Sequence, residues 1–534
     1  MHTQRMLCLV ASLACLPTLS ARAHDRIEHV LLISVDGLHA LDVARYVRLH
    51  PHSALAELSR HGVTYTNART PAHSDSFPGL LSLVTGGSPI TTGIFYDVSY
   101  DRTIFAPSDT TCSHPPGFSM VFDESIDLYI GHVSQDVIDP DALPRHRVNG
   151  QCVPLFPHQA LRTNTIFEVA RAAGKHTAWA DKHPAYDLVN GPSGHGVEDL
   201  YTPEITNLDG ADATFSVVCT VRNDQLKVQG ILHQIHGRRH DGTPGPGVPA
   251  IFGMNFQGVS VGQKLITDNT PPPGDPSFCP EDPLSGEHGG YLDGDGTPGV
   301  LLAYGLEQTD LALGSMIAAL REEGIYERTL FIVSAKHGQS PINPTLVNKP
   351  GHFANLVAHL PDGMTDPAAL AIAAAAACNT NSCPGFVQDD DVALIWLGDQ
   401  TLDEDVRHYL NVNAQALFIE QVMAGDELRL RFNNPLTDSR APDVIVQPVY
   451  GTIYTTSMKK NAEHGGLSYS DTNVALIVSN RALRATTIKT PVATSQVAAT
   501  ILRALGFDPN ALRSVRIEKT RELPGLDRGD DDNQ

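Results

Sequence analysis

Three apolar runs in this chain break into residues able to do chemistry. "HVLLISVDG" ends at Asp36 and Gly37, "AGKHTAWADKH" reaches Asp181 and His183, and "GIYERTLFIVSAKHG" reaches Lys336 and His337. A nearly continuous apolar run is the pattern of a strand buried on both faces of a parallel sheet. In open sheets of that kind, reactive groups gather at the carboxyl ends of the strands. Asp36, Asp181, His183, Lys336 and His337 are therefore expected around one crevice. His464, in "NAEHGGLSYSDTNVALIVSN", sits in a Gly-rich loop before a further strand and could join them from another side. Asp and His side chains in such a set suit a hard or borderline metal ion.

A second constellation is "TPAHSDSFPGLLSLVTGGSP", Thr70 to Pro89. Ser76 precedes Phe77-Pro78-Gly79 and a helix-like run, which puts its hydroxyl at or near a helix N-terminus. Free N–H groups and the helix dipole there favour an anion and can assist an alkoxide nucleophile. Ser76 can equally be an N-cap, and Ser74 and Asp75 compete for that cap.

The elements needed to position these residues are legible as an alternation. Helical stretches at Ala54 to Arg60, Asn164 to Ala173 and Tyr304 to Gly324 separate the apolar runs, with Gly324 as a stop. Strands alternating with helices predict an α/β fold, a mostly parallel central sheet sandwiched by helices. The core is expected over residues 24–346 and 443–515, with a Pro- and Gly-rich loop over 269–299. Within that loop "LDGDGTPG" lacks the later Glu of a calcium-binding loop and reads as a turn. Residues 347–442 hold an alanine-rich helix, the close Cys378/Cys383 pair and strand-like "DVALIWLG" and "ELRLRF", and are expected to form a smaller inserted cap. The charged end, 516–534 with "RGDDDNQ", is expected to be a disordered tail.

Composition limits the function. The first 23 residues read as a secretory signal peptide, with cleavage before His24. No later run supplies the ~20 apolar residues of a membrane span. An exported protein, periplasmic or secreted, is therefore expected. Its formal charge of −22 becomes −24 once Arg5 and Arg22 leave, and such a surface repels duplex nucleic acid and anionic lipid. Cys112, Cys152, Cys219, Cys279, Cys378 and Cys383 remain, an even set that favours disulfides in an exported chain. Cys378 and Cys383 can close a small loop; the other connectivity stays open.

Taken in order, "LISVDG", "SDSFPGLLSLVTGGSPITTGI", "SAKHGQ" and "EHGG" resemble the nucleotide pyrophosphatase/phosphodiesterase (type I phosphodiesterase) family of the alkaline phosphatase superfamily. The resemblance covers roughly Val30 to Ile94 and Val300 to Arg503. It implies a two-metal mechanism in which Asp36, Ser76, His337 and His464 are metal ligands and Ser76 is also the nucleophile, forming a phospho-enzyme. It also implies zinc as the divalent metal, and Asp97, Asp181 and His183 as substrate-binding residues, with Tyr186 positioned to stack on a base or sugar.

Several positions depart from the family pattern. Lys336 stands where the family has Asp, "NFQGVSVGQ" with Gln257 and Gln263 replaces a segment that supplies an Asp and a His, and Asp97 matches an Asn. Exchanging an Asp for Lys336 changes local charge by the amount one divalent ion carries. One metal ion or none is thus expected rather than two, with Lys336 as a catalytic electrostatic stabiliser pairing Asp36 or Asp97. Replacement ligands from Asp97, Asp181 or His183 are the alternative. The expected function is hydrolysis of a phosphodiester or pyrophosphate bond in a small phosphate ester or nucleotide-like substrate. A phosphomonoesterase, a sulfatase-like hydrolase and a non-catalytic binder of phosphorylated ligands are the other readings.

Overall fold

The computed structural model describes residues 26–121, 126, 138–208, 211–271, 274, 278–378 and 383–526. The expected signal peptide and the "RGDDDNQ" end lie outside the described residues. Six strands of the central sheet come first: β1 (His29–Val35), β2 (Gly62–Tyr65), β3 (Ala178–Ala180), β4 (Asp199–Tyr201), β5 (Ile251–Phe256) and β6 (Thr329–Ser334). The chain then leaves for a cap sheet of β7 (Phe386–Asp389), β8 (Ala393–Trp396), β9 (Ile419–Ala424) and β10 (Val444–Pro448). It returns with β11 (Leu476–Ser479) and β12 (Thr486–Ile488).

The central sheet has the order β12-β2-β11-β6-β1-β5-β3-β4. β1 lies at its middle, parallel to β5 with Val30 opposite Ile251 and to β6 with His29 opposite Thr329. Its residues from Val30 to Val35 are all buried, as a strand covered on both faces requires. Each such aliphatic contributes about 1.5–3 kcal/mol by leaving water. β11 departs from the parallel expectation and runs antiparallel to β6 and β2. The cap delivers the chain to the carboxyl edge of the sheet, so a strand starting there must run backwards.

Three helices carry the argument below: α1 (Ser76–Thr85), α2 (Val217–Ile235) and α3 (Gly258–Lys264). Every residue of α1 is buried. Gly86 ends it in the left-handed conformation, φ 75°.

Three expectations about the chain's organisation need correction. β10 lies in the cap sheet between β8 and β9, so the cap extends past 442 to include Val444–Pro448. The stretch "ELRLRF" is not a strand: Gly425–Arg429 is a short helix. Residues from 516 to 526 are not part of a disordered tail, since a helix spans Arg513–Glu518, Leu523 is buried and the Tyr65 hydroxyl donates to the Pro524 carbonyl at 2.7 Å. That segment carries enough apolar side chain to pack. Disulfides join Cys112 to Cys152, Cys219 to Cys279 and Cys378 to Cys383. Among the described residues, no helix is long and apolar enough to cross a membrane.

Candidate active site

Asp75 caps α1, its side chain accepting from the Phe77 N–H at 3.2 Å, so Ser76 is the first helical residue rather than the cap. Pro78 falls in the first turn, where its missing N–H costs nothing. Gly79 is dictated by packing: a Cβ there would stand 2.0 Å from the Lys336 carbonyl oxygen. This close approach of α1 to the end of β6 sets Ser76 Oγ 3.2 Å from His337 Nε2.

Around that pair, β1 contributes Asp36, whose Oδ2 lies 3.7 Å from His337 Nε2. Asp36 Oδ2 also accepts from Asn255 Nδ2 and from Lys182 Nζ, each at 3.2 Å. Lys182 Nζ in turn donates to Gln257 Oε1 at 3.2 Å. The rings of His337 and His464 are 4.0 Å apart between centroids, and His464 Nδ1 faces Asp75 Oδ1 at 3.3 Å. Asp36, Ser76, His337 and His464 thus share one buried cluster, although Ser76 and His464 are separated by most of the chain.

The electrostatics follow from burial and paired charge. Burial alone would raise the Asp36 carboxyl, but the Lys336 and Lys182 ammoniums and His337 hold it well below the usual carboxylate range. Burial would likewise lower the Lys182 ammonium, and Asp36 and Asp181 reverse that and raise it. Burial, reinforced by His337, Lys264 and Lys182, pushes His464 well below the ordinary histidine value, which keeps its ring neutral. Burial pushes the Asp75 carboxyl up.

Lys336 does not do what the sequence suggests. Its side chain is 0% exposed, and Nζ donates to Asp181 Oδ1 at 3.0 Å, Asp181 Oδ2 at 3.1 Å and the Tyr186 hydroxyl at 2.8 Å. It pairs with neither Asp36 nor Asp97 and faces no open space where a substrate could lie. Asp181 is correspondingly taken up, accepting from Trp179 Nε1 at 3.0 Å as well, so it is not placed to touch a substrate. Tyr186 is fully buried and stacked on Phe77 at 4.6 Å, which removes it as a platform for a base. Gln263 turns away from the cluster and donates to the Gly37 carbonyl at 2.9 Å and the Tyr291 hydroxyl at 3.0 Å.

A cleft of about 320 Å³ opens onto the cluster, lined by Ser76, Lys182, Gln257 and His464. Asp97 and His183 are also on its wall, with His183 Nδ1 donating to Glu204 Oε1 at 2.9 Å. The far side carries Lys264, Lys459, Lys460, Asp390 and Glu463. A larger cleft of about 690 Å³, lined by Leu330, Asn480, Thr500 and Arg503, lies elsewhere and presents no comparable set of reactive groups. Asn255 is the site residue that motif reading missed; Lys182 was placed only on the pocket lining and Asp75 only at the helix cap, and neither was expected to meet Asp36 or His464. Lys182 was the more accessible of those two, since it stands between Asp181 and His183 at the same strand end.

A divalent ion is poorly suited to these donors. Among the described residues, no group of three or more His, Cys, Asp or Glu side chains is arranged to hold a metal. Asp36 gives one oxygen to Lys182, and the positions that would supply further anionic ligands are Lys336 and Gln257. A divalent ion about 4 Å from the Lys182 ammonium would meet roughly 8 kcal/mol of repulsion at an effective dielectric near 20. Asp36 and Asp181 are already neutralised by two lysines. The residues present do not fit the two-ion centre that the resemblance implies.

No curated protein sequence matches the chain. Among solved structures it is similar to murine ectonucleotide pyrophosphatase/phosphodiesterase 5, with TM-score 0.51 and 14% identity, covering 90% of this chain and 96% of that one. The human counterpart is similar at TM-score 0.51 and 14% identity, covering 90% of this chain and 95% of that one. An inactive form of the murine protein has been solved in complex with AMP. A mutant of the alkaline phosphatase PafA is similar at TM-score 0.56 and 14% identity, covering 90% of this chain and 96% of that one. The Type I phosphodiesterase / nucleotide pyrophosphatase family matches residues 30–119 and 287–470, which hold Asp36, Ser76, Lys336, His337 and His464. The chain belongs to that family, and is a phosphodiesterase/nucleotide pyrophosphatase-like hydrolase.

Proposed function

We propose that this protein is an exported hydrolase that opens phosphodiester or pyrophosphate bonds of small, nucleotide-like substrates by attack of Ser76 on phosphorus. The observation that carries the reading is the position of Ser76. Its hydroxyl stands at the N-terminus of α1, 3.2 Å from His337 Nε2, on the wall of the cleft. Backbone N–H groups at a helix start favour the anion that develops there. Attack by Oγ forms a phospho-Ser76 enzyme, and water then releases the phosphate. The AMP complex of the murine relative supports a nucleotide-sized ligand, and three disulfides support an oxidising compartment. Asp97 and His183 are assigned to the substrate side of the cleft.

A second reading is a monoester of phosphate or sulfate, favoured by Lys182 in contact with Asp36. Assays of the wild type and Ser76→Ala on chromogenic phosphodiester, phosphomonoester and sulfate ester substrates separate these readings. Turnover by the wild type is expected on the diester, with a loss of about a thousandfold or more in the variant. Acid-quenched enzyme should carry a phosphoryl group on Ser76 by peptide mass spectrometry. Full activity in Ser76→Ala would remove the serine from the chemistry.

A further inference from the structure

We infer that Lys182 is the resident cation of this site and that Ser76 and His337 work as a nucleophile and base pair, so that hydrolysis proceeds without a divalent ion. The inference rests on the reading of Ser76 above and assigns Lys182 a contact with the reacting phosphoryl group.

Three observations carry it. Lys182 Nζ is held at 3.2 Å from both Asp36 Oδ2 and Gln257 Oε1, and its side chain, 11% exposed, reaches the cleft beside Ser76. These two acceptors leave its third N–H free in direction to meet a phosphoryl oxygen. Lys336 keeps its charge behind Asp181 with no access to the cleft, so of the two strand-end lysines it is Lys182 that stands beside Ser76, with Lys264, Lys459 and Lys460 on the far side.

The second observation is the histidine tautomer. His337 Nδ1 lies 2.9 Å from the Gly338 carbonyl oxygen, which can only accept. Nδ1 therefore carries a proton, and in the neutral ring Nε2 presents a lone pair to Ser76 Oγ. A lone pair aimed at a hydroxyl is the arrangement of a general base. The third is Asp36, whose Oδ2 lies 3.7 Å from that same Nε2 and can stabilise the imidazolium once it forms.

The chemistry balances. The Ser76 proton moves to His337 Nε2 as Oγ bonds to phosphorus, and the bond to the departing oxygen breaks on the opposite side. That oxygen keeps the electron pair and takes a proton from water in the cleft. In the second half water attacks from the vacated side and releases a proton to solvent. The phosphorus–Oγ bond breaks, and Oγ recovers the proton held on His337. Lys182 faces the non-bridging oxygens throughout, where charge accumulates.

The test measures metal content and turnover together. Purified full-length protein, dialysed against a chelator, is analysed for metal by mass spectrometry and assayed on the phosphodiester, then offered zinc in equilibrium dialysis. Turnover is expected to survive chelation, with bound metal far below one ion per chain. Lys182→Met is expected to lose about a hundredfold or more in turnover with its near-ultraviolet circular dichroism unchanged, and Lys182→Arg to keep part of it. Activity that is lost on chelation and restored by a stoichiometric ion would overturn the inference, and phospho-Ser76 trapped in that same sample would leave the serine reading standing. Full turnover in Lys182→Met would overturn it as well. No wild-type turnover with or without metal, and no phosphoserine, would sink both.

Discussion

Replacing Lys336 by Met tests how this site is held together. The ammonium is wholly buried, and its acceptors are the two oxygens of Asp181 at 3.0 and 3.1 Å and the Tyr186 hydroxyl at 2.8 Å. It also lies 4.0 Å from the centre of the Tyr186 ring. At the ion-pair distance the attraction is roughly 5 kcal/mol for an effective dielectric near 20. Methionine nearly matches the volume of the stem, so the change is chiefly electrical. It leaves the Asp181 carboxylate buried with only Trp179 Nε1 and the Lys182 N–H as donors. Removing one partner of a buried pair costs about 3–5 kcal/mol, and that loss is expected in urea unfolding as a lower midpoint with an unchanged slope. Asp181→Asn in the same chain removes the stranded charge, and the double variant should recover roughly 1–3 kcal/mol relative to the sum of the singles. A loss below about 1 kcal/mol for Lys336→Met, or strict additivity of the pair, would refute the argument that Lys336 is a structural counter-ion.

Two further outcomes follow from other parts of the molecule. Arg440 joins cap to core, with Nε donating to Asp101 Oδ2 at 2.6 Å and one terminal nitrogen to the Ala160 carbonyl at 2.5 Å. Arg440→Ala should cost about 3–5 kcal/mol, and Arg440→Lys should fail to restore it because lysine cannot reproduce the fork; limited proteolysis of the cap reads the effect. Asp268, whose Oδ1 accepts from the Val217 N–H at the start of α2, is pushed up to about 8 by burial and by the neighbouring Asp282. The folded state therefore binds the extra proton between the ordinary carboxylate range and pH 8. Stability of this region should fall as pH rises through that window and level off above it. Hydrogen exchange in the first turn of α2 checks the slope, and Asp282→Asn should flatten it.

The central alternation was legible in the sequence because a strand buried on both faces must be almost continuously apolar, as the "VLLI" of β1 is, and because such strands end where the chain can turn polar. That rule placed Asp36, Asp181 and His337 at strand ends, and the "SDSFPG" pattern placed Ser76 at the start of a helix. Local pattern failed where it had two solutions. "ELRLRF" alternates like a strand, yet its first residues continue a helix begun at Gly425. β11 reads like any other buried strand, and nothing within it records that it runs antiparallel.

By itself, the sequence determined which chemical groups this protein owns: a serine beside a helix start, three histidines and two lysines at strand ends or in their loops, one of the lysines, Lys336, where an acid would fit. Only the tertiary structure decided which charge meets which. Lys336 and Lys182 both follow buried strands and both could have reached Asp36, but the first is turned to Asp181 and the second to Asp36. These pairings span 155 and 146 residues of chain, and they depend on side-chain direction and on the spacing between β1, β3 and β6. Such distances are set when the sheet and α1 pack, and no local stretch of residues contains them.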